Sequence, residues 1–238
     1  FIRLIRSYKA YFRANVARTP AERAAVTWTA VRDDAAAGIT SDLTVRTDPT
    51  LGWDASTNQW YLYQQWHQVN AVLAGMADTS GGYNAWLAAP VANRVAWLVR
   101  TPDLRWPQGD TRSAQIASSG YPPPAGRYFR NRSSADPDAA PFSTYYDWYR
   151  MLWLYNASWV GVWPFFPKAM NDMLQAEARI RLGDIAGAAA LIDLTRVPNG
   201  LPALTGVVTT ASQPVPGGNA CVPRVPQGPA YTSAACGN

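Results

Sequence analysis

Apolar positions recur at three- and four-residue steps in several stretches of the chain, the period of a helix with one buried face. The clearest stretch is 170–196. Met170, Leu174, Ala178 and Leu182 mark one helix, while Ile185, Ala188, Ala189 and Ile192 mark a second. Between them Gly183 suits a left-handed helix end and Asp184 can cap the next helix. Small side chains at 186, 188, 189 and 190 would let the pair approach closely, and Pro198-Asn199-Gly200 stops it. Residues 2–18 predict another amphipathic helix, with Ile5, Tyr8, Phe12 and Val16 on its buried face and Arg3, Arg6 and Arg13 outside. Thr19-Pro20-Ala21-Glu22 then carries a capping box with proline at the first helical position. The helix it starts should run to about residue 37, bury Trp28, Val31 and Ala35, and stop at Gly38. Residues 1–38 therefore read as a second helical hairpin. Such hairpins cannot bury their apolar faces alone, and two of them suggest an interrupted helical-repeat array.

Elsewhere the pattern weakens. A brief strand is expected at 43–46, a helix over 59–77 and a short helix at 83–87 after the Ser80-Gly81-Gly82 turn. Residues 101–143 are rich in Pro, Gly, Ser and Arg and form the longest irregular insertion; residues 206–238 form a Pro/Gly-rich loop. The run 151–166 is broken by Asn156, Gly161 and Pro164. It reads as buried and aromatic, and no run approaches the roughly 20 apolar residues of a membrane span. The fold class is thus mainly α, with helical hairpins carrying long, aromatic-rich insertions. With 238 residues the chain is most economically one domain.

Only 16% of residues are charged, and the net charge of +5 comes from scattered arginines. Nucleic acid would call for a dense basic face, so it is not the expected partner. The outliers are 11 Trp and 12 Tyr. These serve either as core mass or as rings that stack on a ligand. Trp53, Trp60, Tyr63, Gln64 and Trp66 combine flat rings with amides, a mix suited to a sugar or peptide. Tyr145, Tyr146 and Trp148, near Arg127 and Arg130, offer a second such surface.

Catalytic sets are not apparent. There is no Gly-x-Ser-x-Gly, and the sole histidine, His67, lies on an apolar stretch where packing is its expected role. Adjacent Asp33 and Asp34 near a helix end point apart and are expected in solvent, unlike the facing carboxylates of a glycosidase. No cofactor or metal site is expected. Cys221 and Cys236 have no metal-ligand neighbours. They either form a disulfide, worth about 3 kcal/mol in an oxidising compartment, or remain two free thiols.

Two runs carry a family resemblance. One is Leu174-x-Ala176-Glu177-Ala178-x-x-Arg181-Leu182-Gly183-Asp184. The other is Ala188-Ala189-x-Leu191-Ile192-x-x-Thr195-Arg196-x-x-Asn199-Gly200-Leu201-Pro202, followed by Leu204-Thr205. Together with Tyr11-Phe12-Arg13-Ala14, Thr19-Pro20-Ala21-Glu22 and Tyr83-x-Ala85-Trp86-Leu87, they resemble the tetratricopeptide-like part of the SusD/RagB family. The resemblance implies a fragment of a surface lipoprotein, anchored by lipid outside this segment, on the extracellular face of the outer membrane or, as the alternative, facing the periplasm. It also implies a non-catalytic role: binding a glycan or peptide for a SusC-like TonB-dependent transporter. The alternatives are a helical scaffold subunit of a larger assembly and a glycan-active enzyme.

Overall fold

The computed structural model describes residues 1–48, 50, 68–119, 127–132, 144–211, 213 and 215–216. Nine α-helices run through the described residues: α1 (Ile2–Asn15), α2 (Pro20–Ala25), α3 (Trp28–Ala36), α4 (Ala71–Ala77), α5 (Gly82–Ala88), α6 (Arg112–Ala117), α7 (Leu152–Asn156), α8 (Lys168–Arg181) and α9 (Ile185–Arg196). Four short strands accompany them: β1 (Leu43–Thr47), β2 (Phe129–Asn131), β3 (Tyr146–Trp148) and β4 (Gly161–Phe166). The chain is mostly helical, with two-stranded antiparallel sheets β1–β4 and β2–β3. It divides into two compact units.

The first unit comprises Phe1–Thr47, Gly161–Pro198 and Pro202–Pro216. Helices α1, α3 and α8 pack against one another and α9 packs on α8. The core is built from Ala10, Ala14, Trp28, Val31, Ala35, Leu174 and Ala178. Small residues allow close approach: a Cβ on Gly38 would lie 2.4 Å from Ser7 Oγ and 2.8 Å from the Ala35 carbonyl. The turn between α8 and α9 has the expected chemistry. Gly183 adopts φ +82°, and the Asp184 carboxylate accepts from the Gly187 N–H. Thr19 and Glu22 form the capping box at α2.

Two expectations for this unit require correction. The buried face of α1 consists of Ser7, Ala10 and Ala14; Phe12 is 59% and Val16 67% exposed, and Ile5 is also exposed. Charge sets this rotation. Asp34 on α3 is buried rather than in solvent, and Arg6, Lys9 and Arg13 of α1 reach it at 2.9, 3.5 and 3.3 Å. A buried carboxylate without cations would cost more than the exposed apolar stripe loses. Second, the expected helix 20–37 is two helices. Val26 is extended, and Trp28 donates from Nε1 to the Arg23 carbonyl, which tucks the indole into the core. The Arg23 and Arg181 guanidiniums lie 5.4 and 5.3 Å from the centre of the same ring, and Arg23 Nη2 donates to both carboxylate oxygens of Glu177.

The described part of the second unit falls in Asp48–Val160 and Asn199–Leu201. Here aromatic clusters take over the core. Val69, Ala74, Val99, Trp106 and Tyr146 form one, and Ala71, Tyr83 and Trp86 another. Of the helix expected over 59–77, residues 59–67 lie outside the described residues, 68–70 are not helical, and α4 follows Asn70, whose side chain caps it by accepting from the Val72 N–H. Val69 is committed elsewhere, donating its N–H to the Tyr146 carbonyl. The run 151–166 is not uniformly buried. Ser158 and Trp159 turn through positive φ, dividing it between α7 of this unit and β4 of the first, and Val162 and Phe165 face solvent.

Candidate functional site

The ladder β2–β3 organises the second unit's polar chemistry. Phe129 pairs with Trp148, Arg130 with Asp147 and Asn131 with Tyr146. Alternation of side chains across a strand then sends Phe129 and Tyr146 inward. Trp106 stacks on Phe129 at 4.2 Å and meets Tyr146 edge-on at 5.3 Å. Tyr146 is therefore a core residue, not the surface ring expected from its sequence neighbours. Its hydroxyl donates to Gln115 Oε1 at 2.6 Å and accepts from the Val99 N–H at 2.8 Å. Gln115 in turn donates to the Val99 and Gly109 carbonyls and accepts from Asn131 Nδ2. Burial raises the Tyr146 phenol well above its ordinary value, despite these hydrogen bonds.

The ladder continues one step beyond the strands, where the Tyr149 N–H donates to the Tyr128 carbonyl at 3.0 Å. Around this end gather four arginines and two tyrosines. Arg130 grips the fully buried Asp147 with two hydrogen bonds of 2.8 Å, and its guanidinium lies 5.9 Å from the centre of the Tyr149 ring. Arg105 forks onto Asp103 and faces the Tyr128 ring at 6.0 Å. Arg150, exposed, covers Tyr128 at 4.2 Å. The fourth, Arg127, precedes Tyr128 and has buried Nε and Nη1 atoms with no hydrogen-bond acceptor. Tyr149 is 2% exposed and its hydroxyl likewise has no partner. Desolvation lowers the Arg127 pKa, partly opposed by Tyr149. Burial pushes the Tyr149 phenol up to about 12, against the nearby Arg127 and Arg130 charges.

Of the residues singled out by sequence, Tyr145 and Trp148 are half-buried beside this ladder, and the Arg112 guanidinium stacks on Tyr145 at 4.2 Å. Trp53, Trp60, Tyr63, Gln64, Trp66, His67, Cys221 and Cys236 lie outside the described residues. Sequence reasoning missed Tyr128, Tyr149, Arg105 and Arg150. The short aromatic run Tyr128-Phe129, set against the aromatic run 145–149, was the available signal, since pairing those runs predicts the cluster. Among the described residues, no group of three or more His, Cys, Asp or Glu side chains could hold a metal. No helix there is long and apolar enough to cross a membrane. A cavity of about 200 Å³ opens beside Gln115, lined also by Arg100, Gln108 and Asp110. In the first unit, a wider one of about 390 Å³ is lined by Val16, Ala25 and Val26, with Arg13 and Glu22 at its edge.

The loop after α9, which carries part of the family resemblance, is held by side chains of that helix. The Asp193 carboxylate accepts from the N–H groups of Leu204 and Thr205 and from the Thr205 hydroxyl. Arg196 donates from Nε to the Pro202 carbonyl at 2.6 Å and from Nη2 to the Pro216 carbonyl. Gly200 takes φ +79°. Burial would raise the Asp193 pKa, but the Leu204 and Thr205 donors more than offset it and hold the carboxyl below its ordinary value. Comparison of the chain with protein-family models, with curated proteins and with solved structures gives no match.

Proposed function

We propose that this protein captures a nutrient, a glycan or a peptide, outside the outer membrane and delivers it to a SusC-like TonB-dependent transporter. On this reading it is a SusD/RagB-type lipoprotein segment, with tetratricopeptide-like hairpins carrying aromatic insertions and a lipid anchor outside residues 1–238. The observation that carries the proposal is the run 174–205. Its resemblance to that family coincides with residues that each do something structural. Glu177 binds Arg23, Gly183 turns, Asp184 caps, Arg196 holds Pro202 and Asp193 holds Thr205. The arginine–tyrosine cluster beside β2–β3 adds rings and fixed donors of the kind that recognise polar ligands. Binding without catalysis is favoured because buried carboxylates are already engaged: Asp34 by three cations, Asp103 by Arg105 and Asp147 by Arg130.

The test is calorimetric titration with oligosaccharides and short peptides, paired with co-purification from the source membrane. A saturable ligand and a co-purifying TonB-dependent transporter are expected; neither appearing would sink the proposal. The exposed apolar stripe Ile2, Ile5 and Phe12 on α1, continued by Val16 at its C-cap, favours a second reading, a scaffold subunit of a surface assembly. That reading requires a partner in fixed ratio and no small ligand.

A further inference from the structure

Charge at the end of the β2–β3 ladder does not balance. Of its four arginines, Arg105 and Arg130 each have a carboxylate, Asp103 and Asp147. Arg127 and Arg150 have none among the described residues. Arg150 rests on the Tyr128 ring. Arg127 Nε and Nη1 and the Tyr149 hydroxyl are buried and without hydrogen-bond partners. Such orphaned groups are rare in folded proteins, because each forgoes its hydration and gains nothing in return. Here the orphans are neighbours in the fold. Tyr149 follows β3 and is hydrogen-bonded through its backbone to Tyr128, the residue after Arg127.

The set is also chemically one-sided. A guanidinium offers only donors, and Arg127 Nε and Nη1, on different edges of its plane, are both unmet. A phenol that keeps its proton through neutral pH adds a third donor, and burial keeps the Tyr149 proton in place. The phenol oxygen makes no hydrogen bond with Arg127, so all three donors are unmet and call for a ligand group that accepts. We propose that Arg127 and Tyr149, with Arg150 at the rim, form a subsite for a carboxylate of the captured ligand. The carboxylate belongs to a uronic-acid sugar or to the C-terminus of a peptide. The inference rests on the capture function proposed above and names the chemistry of its ligand.

The experiment compares blocked and free carboxylates by calorimetry on the purified full chain. The sugar arm sets oligogalacturonate against its methyl ester; the peptide arm sets tripeptides with a free C-terminus against their amides. In one arm the free acid should bind at least roughly tenfold more tightly than its blocked form, as expected for a charge-assisted pair. Arg127→Gln should remove that preference, lowering free-acid affinity by roughly ten- to a hundredfold while leaving the blocked ligand unchanged. Tyr149→Phe should lower it less, about three- to tenfold. Thermal melting separates ligand binding from structure: R127Q, which removes an unpaired buried charge, should melt no lower than the parent. A large drop in Tm, or failure to fold, would mark Arg127 as structural and overturn the proposal. Equal binding of free and blocked forms would overturn it too, and would leave capture itself standing. Absence of binding in every arm would bring down both.

Discussion

Asp34 in one unit and Arg127 in the other show opposite treatments of a buried charge. In the helical unit the buried carboxylate Asp34 is 5% exposed at its side chain and has three cations around it. In the aromatic unit Arg127 is a cation with buried donor atoms and no acceptor. The first arrangement is what stability alone would produce, since a buried ion is tolerable when its partners are supplied. The second costs stability and is explained if a ligand supplies the partner. The cores differ in the same spirit. Alanines and a few larger side chains bring α1, α3 and α8 together, whereas Trp106, Phe129 and Tyr146 fill the second unit around a hydrogen-bonded Gln115.

Mutations can break this contrast from either side. The largest effect should come from Trp106→Ala, which removes a fully packed indole from the aromatic core and should cost about 3–5 kcal/mol in urea denaturation. A cost below about 1 kcal/mol would mean that the aromatic cluster is not a core. Tyr146→Phe should cost about 1–3 kcal/mol, because it strands the Val99 N–H and changes the Gln115 network without creating a cavity. On the helical side, Asp34→Asn should destabilise by about 1–2 kcal/mol. That figure is kept low because Arg6, Lys9 and Arg13 are each more than 40% exposed and remain solvated. High salt should shrink the difference between D34N and parent, whereas the Y146F difference should be insensitive to it.

Smaller effects are read from pH. Asp193 has a lowered folded pKa, so its contribution is present above the ordinary carboxylate range and is lost as pH falls through the folded value. Melting temperature measured from pH 6 to pH 2 should therefore fall less steeply for Asp193→Asn than for the parent. Tyr149 gives the opposite limb. Its pKa is raised, so its contribution is full below pH about 10 and declines as pH rises toward about 12. Tyr149→Phe should flatten that alkaline decline, and an unchanged slope would show that the phenol is not buried in solution.

Much of the helical unit was legible in the sequence because its signals are local. The capping box at Thr19 and Glu22, the left-handed Gly183 and the Asp184 cap all depend on residues within a few positions of one another. The rotation of α1 was not legible. Ile5, Phe12 and Val16 satisfy helical periodicity, yet the face chosen was the one carrying Ala10 and Ala14, next to the cations that Asp34 needs. The candidate site was legible in composition but not in membership. Arg127, Tyr145 and Trp148 stand out as arginine and aromatic residues. Tyr128 and Tyr149 become a pair only when two segments some twenty residues apart form a ladder.

By itself, the sequence determined the caps at Thr19 and Asp184, the left-handed turn at Gly183 and that the chain is mainly helical, because capping, turn conformation and periodicity act between near neighbours. Only the tertiary structure decided which face of α1 is buried, that Tyr146 is core and Tyr128 half-buried, and that Arg127 has no acceptor beside Tyr149. Those outcomes are settled by desolvation and by partners brought from distant positions, and no local pattern encodes them.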